Sequence, residues 1–303
     1  MFTTASIRSV AVGDQVLRTS IRPARGRRAA AGRPEPIPLL LINGIGASLE
    51  LLEPFVDELD PAIEVIRFDV PGVGGSPLPA LPYRFTGLCA LIARMLTELG
   101  YGTVDVLGIS WGGGVAQHFA ALQRSRCRRL VLVSTATGAL MVPARPSVLA
   151  TMITPRRYTD RGYLEQNAAR LYGGTARSDP ARVTAAMNSH NRVGSPRGYV
   201  YQLVAGAGWT SVPFLPLLTQ PTLIMSGDDD PIIPLANARL MRRLIPGATL
   251  HVFRGGHLGL VTEAAELAPV IGQFLLADSE RAGQTGRADQ GKPARPARAR
   301  RET

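Results

Sequence analysis

At residues 104–122 an apolar run, Val104-Asp105-Val106-Leu107-Gly108, gives way within three residues to a helical pattern at 112–122. A continuous apolar run predicts a strand buried on both faces. The junction, Gly108-Ile109-Ser110-Trp111-Gly112, places a serine in a turn tight enough to strain its backbone. Glycines two residues before and after the serine leave room for the strand and the helix to approach. The serine oxygen is then exposed above the sheet, beside a helix N-terminus that favours negative charge. The five-residue pattern alone occurs often by chance. The strand before it and the helix after it separate it from an ordinary Gly-Ser turn.

The same alternation runs through the chain. Strands are predicted at 6–12 and 15–21, joined as a hairpin at Gly13-Asp14. Further strands are predicted at 38–43, 64–69, 129–134, 222–226 and 249–253, and helices at 51–59, 88–99, 235–244 and 263–276. This order argues for an α/β fold with a mostly parallel, doubly wound sheet. From 138 to 213 the apolar residues fall at helical spacing between Pro and Gly breaks, with no strand pattern. That stretch predicts a helical cap inserted over the carboxyl edge of the sheet. The expected organisation is a core of 1–137 and 214–277 with a cap at 138–213.

A serine hydroxyl is a weak nucleophile and needs a base. The chain has four histidines. His118 lies eight residues along the helix from Ser110, roughly 12 Å away at 1.5 Å per residue, which suits a structural role. His190 falls in the insertion and His251 inside a strand. His257 follows that strand in the loop Arg254-Gly255-Gly256-His257, at the same sheet edge as Ser110, and is the candidate base. The base needs a carboxylate to fix its tautomer. Asp228, Asp229 and Asp230 follow the strand at 222–226, again at the carboxyl edge, and their spacing alone does not separate them.

A negatively charged intermediate also needs two preorganised donors. The amide of Trp111 is one candidate. The amide of Ile45, in the loop Asn43-Gly44-Ile45-Gly46 after the first buried strand, is the other. Neither that loop nor Gly72-Val73-Gly74-Gly75-Ser76 has the lysine or the spacing of a nucleotide site.

A net charge of +11 raises the question of nucleic acid. Five arginines in 22–33 and the excess of basic over acidic residues in 280–303 account for +9 of it. Both stretches are rich in Ala, Gly, Pro and Arg, which predicts a flexible basic loop (22–36) and a disordered basic tail (278–303). The remainder lacks the basic-aromatic pattern of a nucleic-acid binder, so no nucleic-acid partner is expected. No run approaches the length of a membrane span, and no secretory h-region precedes Asp14. Cys89 and Cys127 form no metal-ligand spacing, and an intracellular location is the simpler reading.

The chain resembles the intracellular depolymerases of medium-chain-length poly(3-hydroxyalkanoate), within the α/β-hydrolase superfamily. The resemblance spans about 6–276. It rests on Asn43-Gly44-Ile45-Gly46-Ala47, Asp69-Val70-Pro71-Gly72-Val73-Gly74-Gly75-Ser76, Pro82-Tyr83-Arg84-Phe85 and Ser110-Trp111-Gly112-Gly113. In the insertion it rests on Pro155-Arg156-Arg157-Tyr158, Tyr172-Gly173-Gly174 and Gly208-Trp209-Thr210-Ser211, and it ends at Gly227-Asp228-Asp229-Asp230-Pro231. The insertion motifs discriminate best, because cap sequences diverge fastest. The superfamily pattern Gly-x-x-Asp-x-x-x-Pro, here Gly227, Asp230 and Pro234, selects Asp230 as the acid. The resemblance implies an α/β-hydrolase fold and a catalytic Ser110, Asp230 and His257, with Ile45 and Trp111 as oxyanion donors. It further implies ester hydrolysis through an acyl-enzyme with no metal or organic cofactor. The implied partner is polyester at a granule surface, and the implied location is the cytoplasm.

A small-molecule carboxylesterase or lactonase would carry the same triad. A non-catalytic binding protein of this fold would usually lose one member. Epoxide hydrolases and haloalkane dehalogenases need aspartate where Ser110 stands, and polyester synthases usually have cysteine there. Met141, Met152, Tyr158, Tyr163, Leu164, Tyr172 and Trp209 could line an apolar tunnel in the cap, but each also suits ordinary packing.

Overall fold

The computed structural model describes residues 6–25, 37–192 and 194–288, with side chains to residue 277. The expected basic loop is outside the described residues from 26 to 36, as is the expected tail beyond 288. Eight strands form one sheet: β1 (Ser6–Val12), β2 (Gln15–Arg22), β3 (Leu39–Ile42), β4 (Val65–Phe68), β5 (Val104–Ile109), β6 (Cys127–Val133), β7 (Thr222–Gly227) and β8 (Thr249–Phe253). Their spatial order is β1-β2-β4-β3-β5-β6-β7-β8. β2 pairs antiparallel with β1 and β4, and every other pairing is parallel. The hairpin turn is the two-residue Gly13-Asp14, with Gly13 at φ +62° and Val12 opposite Gln15. A two-residue hairpin loop takes a left-handed residue readily when it is glycine.

The central strands are buried along their whole length, which is why they read as continuous apolar runs. Alternate side chains nevertheless serve different layers. Leu39, Leu41, Leu107, Ile109, Val131 and Val133 enter the core on one face of the sheet. Leu40, Ile42, Val104, Val106, Leu130 and Leu132 enter the core on the other. Fully burying one such side chain is worth about 1.5–3 kcal/mol, and each central strand contributes such side chains to both layers.

Between β6 and β7 the chain forms helices at Pro146–Met152, Arg156–Thr159, Arg161–Tyr172, Thr175–Ser178, Pro180–Ser189 and Pro196–Gly206. Local chemistry divides them. The side chains of Asp160, Asp179 and Ser195 accept from the amides of Tyr163, Arg182 and Arg197 at the helix starts. Proline occupies the first turn of the helices at 146, 180 and 196. The helix predicted at 51–59 is a 3₁₀ turn, Leu49–Leu52, followed by Glu53–Glu58 with Pro54 in its first turn. The closing helix runs from Ala264 to Ala288, so residues 278–288, expected to belong to the disordered tail, continue the helix instead. Among the described residues no helix is long and apolar enough to cross a membrane.

Candidate active site

Ser110 stands between β5 and the helix Trp111–Leu122, with φ 54° and ψ −121°. A non-glycine residue in this region stores on the order of 1–3 kcal/mol of strain and persists only if its surroundings dictate it. They do so here by hydrogen bonds and by close packing. Ser110 N donates to Val133 O at 2.9 Å, while its carbonyl accepts from Gly113 N at 2.9 Å and from Thr135 Oγ1 at 2.6 Å. A Cβ on Gly112 would lie 2.2 Å from the carbonyl oxygen of Ile42, and one on Gly108 would lie 2.4 Å from that of Gly112. The two flanking glycines are therefore required by backbone-to-backbone approach.

His257 lies in the loop after β8 and Asp230 in the loop after β7. Both are buried, and the His257 amide donates to the Tyr172 carbonyl at 2.8 Å. His257 Nδ1 is 2.8 Å from Asp230 Oδ2, and His257 Nε2 is 3.0 Å from Ser110 Oγ. A carboxylate can only accept, so Nδ1 carries the proton, Nε2 is the acceptor and Ser110 Oγ donates to it. The other carboxylate oxygen, Asp230 Oδ1, accepts from the amides of Ile232 and Ile233 at 2.9 Å each. The series can move a proton from the serine oxygen to an imidazole whose resulting charge faces a buried carboxylate.

The neighbouring aspartates have other partners. Asp228 Oδ1 accepts from Gly255 N at 3.0 Å. Asp229 accepts from Gly174 N at 2.8 Å and pairs with Arg177, whose hydrogen bond holds the Asp229 carboxyl below the usual carboxylate range. The other histidines are also engaged elsewhere. Trp209 Nε1 donates to His118 Nδ1 at 3.1 Å, and His190 is bonded to Ser189 and Ala186 in the insertion. His251 is in β8.

The loop after β3 runs against Ser110: a Cβ on Gly44 would be 3.5 Å from Ser110 Cβ. The Gly44 carbonyl accepts from Ala47 N at 3.2 Å, so in a planar trans peptide the Ile45 N–H is directed away from Ala47. The next peptide is held from the insertion. The Ile45 carbonyl accepts from Tyr158 Oη at 2.8 Å, and Gly46 N donates to Gln202 Oε1 at 2.7 Å. Beneath the loop, buried Asp69 accepts from Leu49 N and Gly75 N at 2.7 Å each and from Arg18 Nη1 at 3.0 Å. Burial pushes the Asp69 carboxyl up against the pull of these donors. Trp111 opens the helix after Ser110, where amides have no intrahelical acceptor.

Ser110 and His257 open on a cavity that Ile45, Met152, Arg157, Tyr158 and Tyr172 also line. Of the insertion residues named from the sequence, Met152, Tyr158 and Tyr172 are in this cavity. Leu164 is in the core, with Met141 packed against it; Tyr163 faces Arg156, and Trp209 packs on Phe85. Sequence reasoning assigned no site role to Gln202, or to Arg157, which it marked only within the motif Pro155-Arg156-Arg157-Tyr158. A charged pair beside a tyrosine reads as a solvated helix face, and nothing local marks its second member as buried. Cys89 and Cys127 are buried free thiols.

The chain belongs to the α/β-hydrolase fold family, whose model matches residues 37–264. Within it the chain is 50% identical, over 91% of its own length and 94% of the relative's, to the poly(3-hydroxyalkanoate) depolymerase of Ectopseudomonas oleovorans. Solved structures with the same fold include the enol-lactonase from Burkholderia xenovorans LB400, with TM-score 0.73 and 21% identity over 88% of this chain and 99% of that one. A thermophilic esterase from Thermogutta terrifontis matches with TM-score 0.73 and 22% identity, over 89% and 98% respectively.

Proposed function

We propose that this protein is a poly(3-hydroxyalkanoate) depolymerase, a carboxylic ester hydrolase that cleaves the polyester through an acyl-enzyme on Ser110. The observation that carries the reading is the 3.0 Å approach of His257 Nε2 to Ser110 Oγ, with Asp230 behind the imidazole, in a chain half identical to a depolymerase.

In this mechanism Ser110 Oγ attacks the carbonyl carbon of an ester, and its proton passes to His257 Nε2. The charge that develops on the carbonyl oxygen is met by the amides of Ile45 and Trp111. Each such donor is worth on the order of a hundredfold in rate. The carbon–oxygen bond to the alcohol then breaks, and His257 protonates the departing alkoxide. Water attacks the acyl-serine ester and gives its proton to His257. Collapse frees a carboxylic acid, and the proton returns to Ser110 Oγ. Tyr158 and Gln202 hold the Ile45-Gly46 peptide from the insertion, so the cap on this reading sets the donor loop as well as the cavity.

The polymer is met where the insertion exposes apolar side chains. Ile153 and Val200 adjoin the bond from Tyr199 Oη to Met152 O and are 65% and 50% exposed, which suits contact with a polyester granule inside the cell. The test is a suspension of medium-chain-length polyhydroxyalkanoate, with a p-nitrophenyl acyl ester as comparison. Release of 3-hydroxy acids from the suspension is expected. Turnover of the small ester alone would leave a serine esterase and overturn the polymer assignment.

A further inference from the structure

A guanidinium is charged at every accessible pH, and removing it from water is costly unless an anion or a full set of acceptors meets it. Arginines packed into this protein meet one or the other: Arg67 pairs with Glu53, Arg18 with Glu50 and Asp69, and Arg128 with Asp105, while Arg22 has four backbone carbonyls, those of Val56, Leu59, Asp60 and Ile63. Arg157 is 3% exposed and has no acid among the described residues. Its Nη2 is 3.4 Å from the Ile45 carbonyl and its Nη1 is 2.6 Å from Met152 Sδ. The rings of Tyr158 and Tyr199 lie 4.7 and 5.6 Å from its Cζ, and its Nε has no partner. A carbonyl, a thioether and two rings supply partial charge only.

A second group beside it is also unsatisfied. The Tyr172 hydroxyl is buried without a hydrogen bond, and burial keeps this phenol protonated and therefore a donor. Arg157 and Tyr172 both line the cavity that contains Ser110 and His257, whose remaining walls include the aliphatic side chains of Leu51, Ile232 and Val261. Unspent donors and an uncompensated positive charge in an apolar cavity call for an anionic acceptor, and a planar guanidinium matches a carboxylate.

We propose that Arg157, with the Tyr172 hydroxyl, binds the free carboxylate at the end of a 3-hydroxyacyl chain and directs cleavage to the ester next to that end. The proposal rests on the ester-hydrolase reading above. In such a chain the terminal carboxylate carbon is three bonds, under about 4 Å, from the ester oxygen that leaves. A carboxylate held beside Ile45 therefore sets the adjoining ester at the serine. Attack places the longer chain on Ser110 as the acyl group and releases the terminal 3-hydroxy acid, protonated on its alcohol by His257. Hydrolysis of the acyl-enzyme then makes a new terminal carboxylate, which is the ligand for the next cycle. Degradation proceeds by single units from the carboxyl end.

The test uses the full-length protein and the dimer of 3-hydroxyoctanoate as free acid and as terminal primary amide, with p-nitrophenyl octanoate alongside. The wild-type protein is expected to favour the acid over the amide in kcat/KM by about tenfold or more, as a charge-assisted hydrogen bond implies. Arg157→Met is expected to bring that ratio to about one. A ratio near one in the wild type, or one that survives in Arg157→Met, overturns the subsite. If Arg157→Met does not fold, competition in the wild type decides: octanoate must inhibit at least about tenfold more tightly than octanamide, and equal inhibition overturns the subsite. Failure of the wild type to turn over p-nitrophenyl octanoate would strike the hydrolase reading itself.

Discussion

Replacing Asp230 by asparagine changes one atom and reverses the proton arrangement of the site. Oδ1 of Asp230 receives two backbone amides at 2.9 Å, from Ile232 and Ile233, while Oδ2 receives His257 Nδ1 at 2.8 Å. An asparagine must keep its oxygen toward the two amides, since turning its NH₂ there would set donors against donors in a buried site. Its NH₂ then faces Nδ1, which becomes an acceptor, and the imidazole proton moves to Nε2. That nitrogen confronts Ser110 Oγ at 3.0 Å and can no longer accept its proton. The same change in serine proteases lowers kcat about 10⁴-fold, close to 5.5 kcal/mol of activation free energy. We expect a loss of that order in Asp230→Asn, measured as kcat on a p-nitrophenyl ester, with thermal stability nearly retained because both amide bonds survive. Asp228→Asn and Asp229→Asn should stay within a few-fold of wild type. An Asp230→Asn variant within tenfold of wild type, or an equal loss in Asp229→Asn, would refute the argument.

Other consequences are as direct. Gly112→Ala places a methyl 2.2 Å from the Ile42 carbonyl, a backbone clash with no side chain to yield, and should cost about 3 kcal/mol or more in urea unfolding. Wild-type stability in that variant would contradict the packing of the turn. Tyr158→Phe removes the hydroxyl that holds the Ile45 carbonyl and should lower kcat about fivefold with KM little changed; a change confined to KM would assign Tyr158 to substrate contact. The Asp229 carboxyl is held below its usual range by Arg177, so the pair contributes fully above the ordinary aspartate value and its contribution fades as pH falls below about 4. The two side chains are 42% and 53% exposed, so Asp229→Asn should cost under about 1 kcal/mol near neutrality, with the difference from wild type shrinking below about pH 4 in pH-dependent melts.

Fold and site differ in how much of them the sequence carries. Parallel strands covered on both faces appear as apolar runs, so β3 to β7 are readable to within a few residues, as are the hairpin at Gly13-Asp14 and the half-exposed edge strand β8 with its β-favouring residues. The division of 138–213 into short helices is not, because it depends on whether each Pro, Asp or Ser caps a new helix or merely bends an old one. Ser110 is legible because a tight strand-to-helix turn leaves few alternatives. The three aspartates are not separable by spacing, since their difference is one of direction: Asp228 toward Gly255 N, Asp229 out to Arg177, Asp230 in to His257. Arg157 is hidden for a related reason. Its neighbours Met152, Tyr158, Tyr172 and Ile45 come from separate segments, and only the folded cavity shows that no acid among the described residues accompanies it.

The central claim is that Ser110 is the activated nucleophile, and trapping it covalently tests this most directly. Native protein is incubated with a fluorophosphonate, digested, and the adduct located by mass spectrometry. A single adduct on Ser110, formed far more slowly in Asp230→Asn, is the predicted result. An unlabelled folded protein, or an adduct on another serine, would contradict the account.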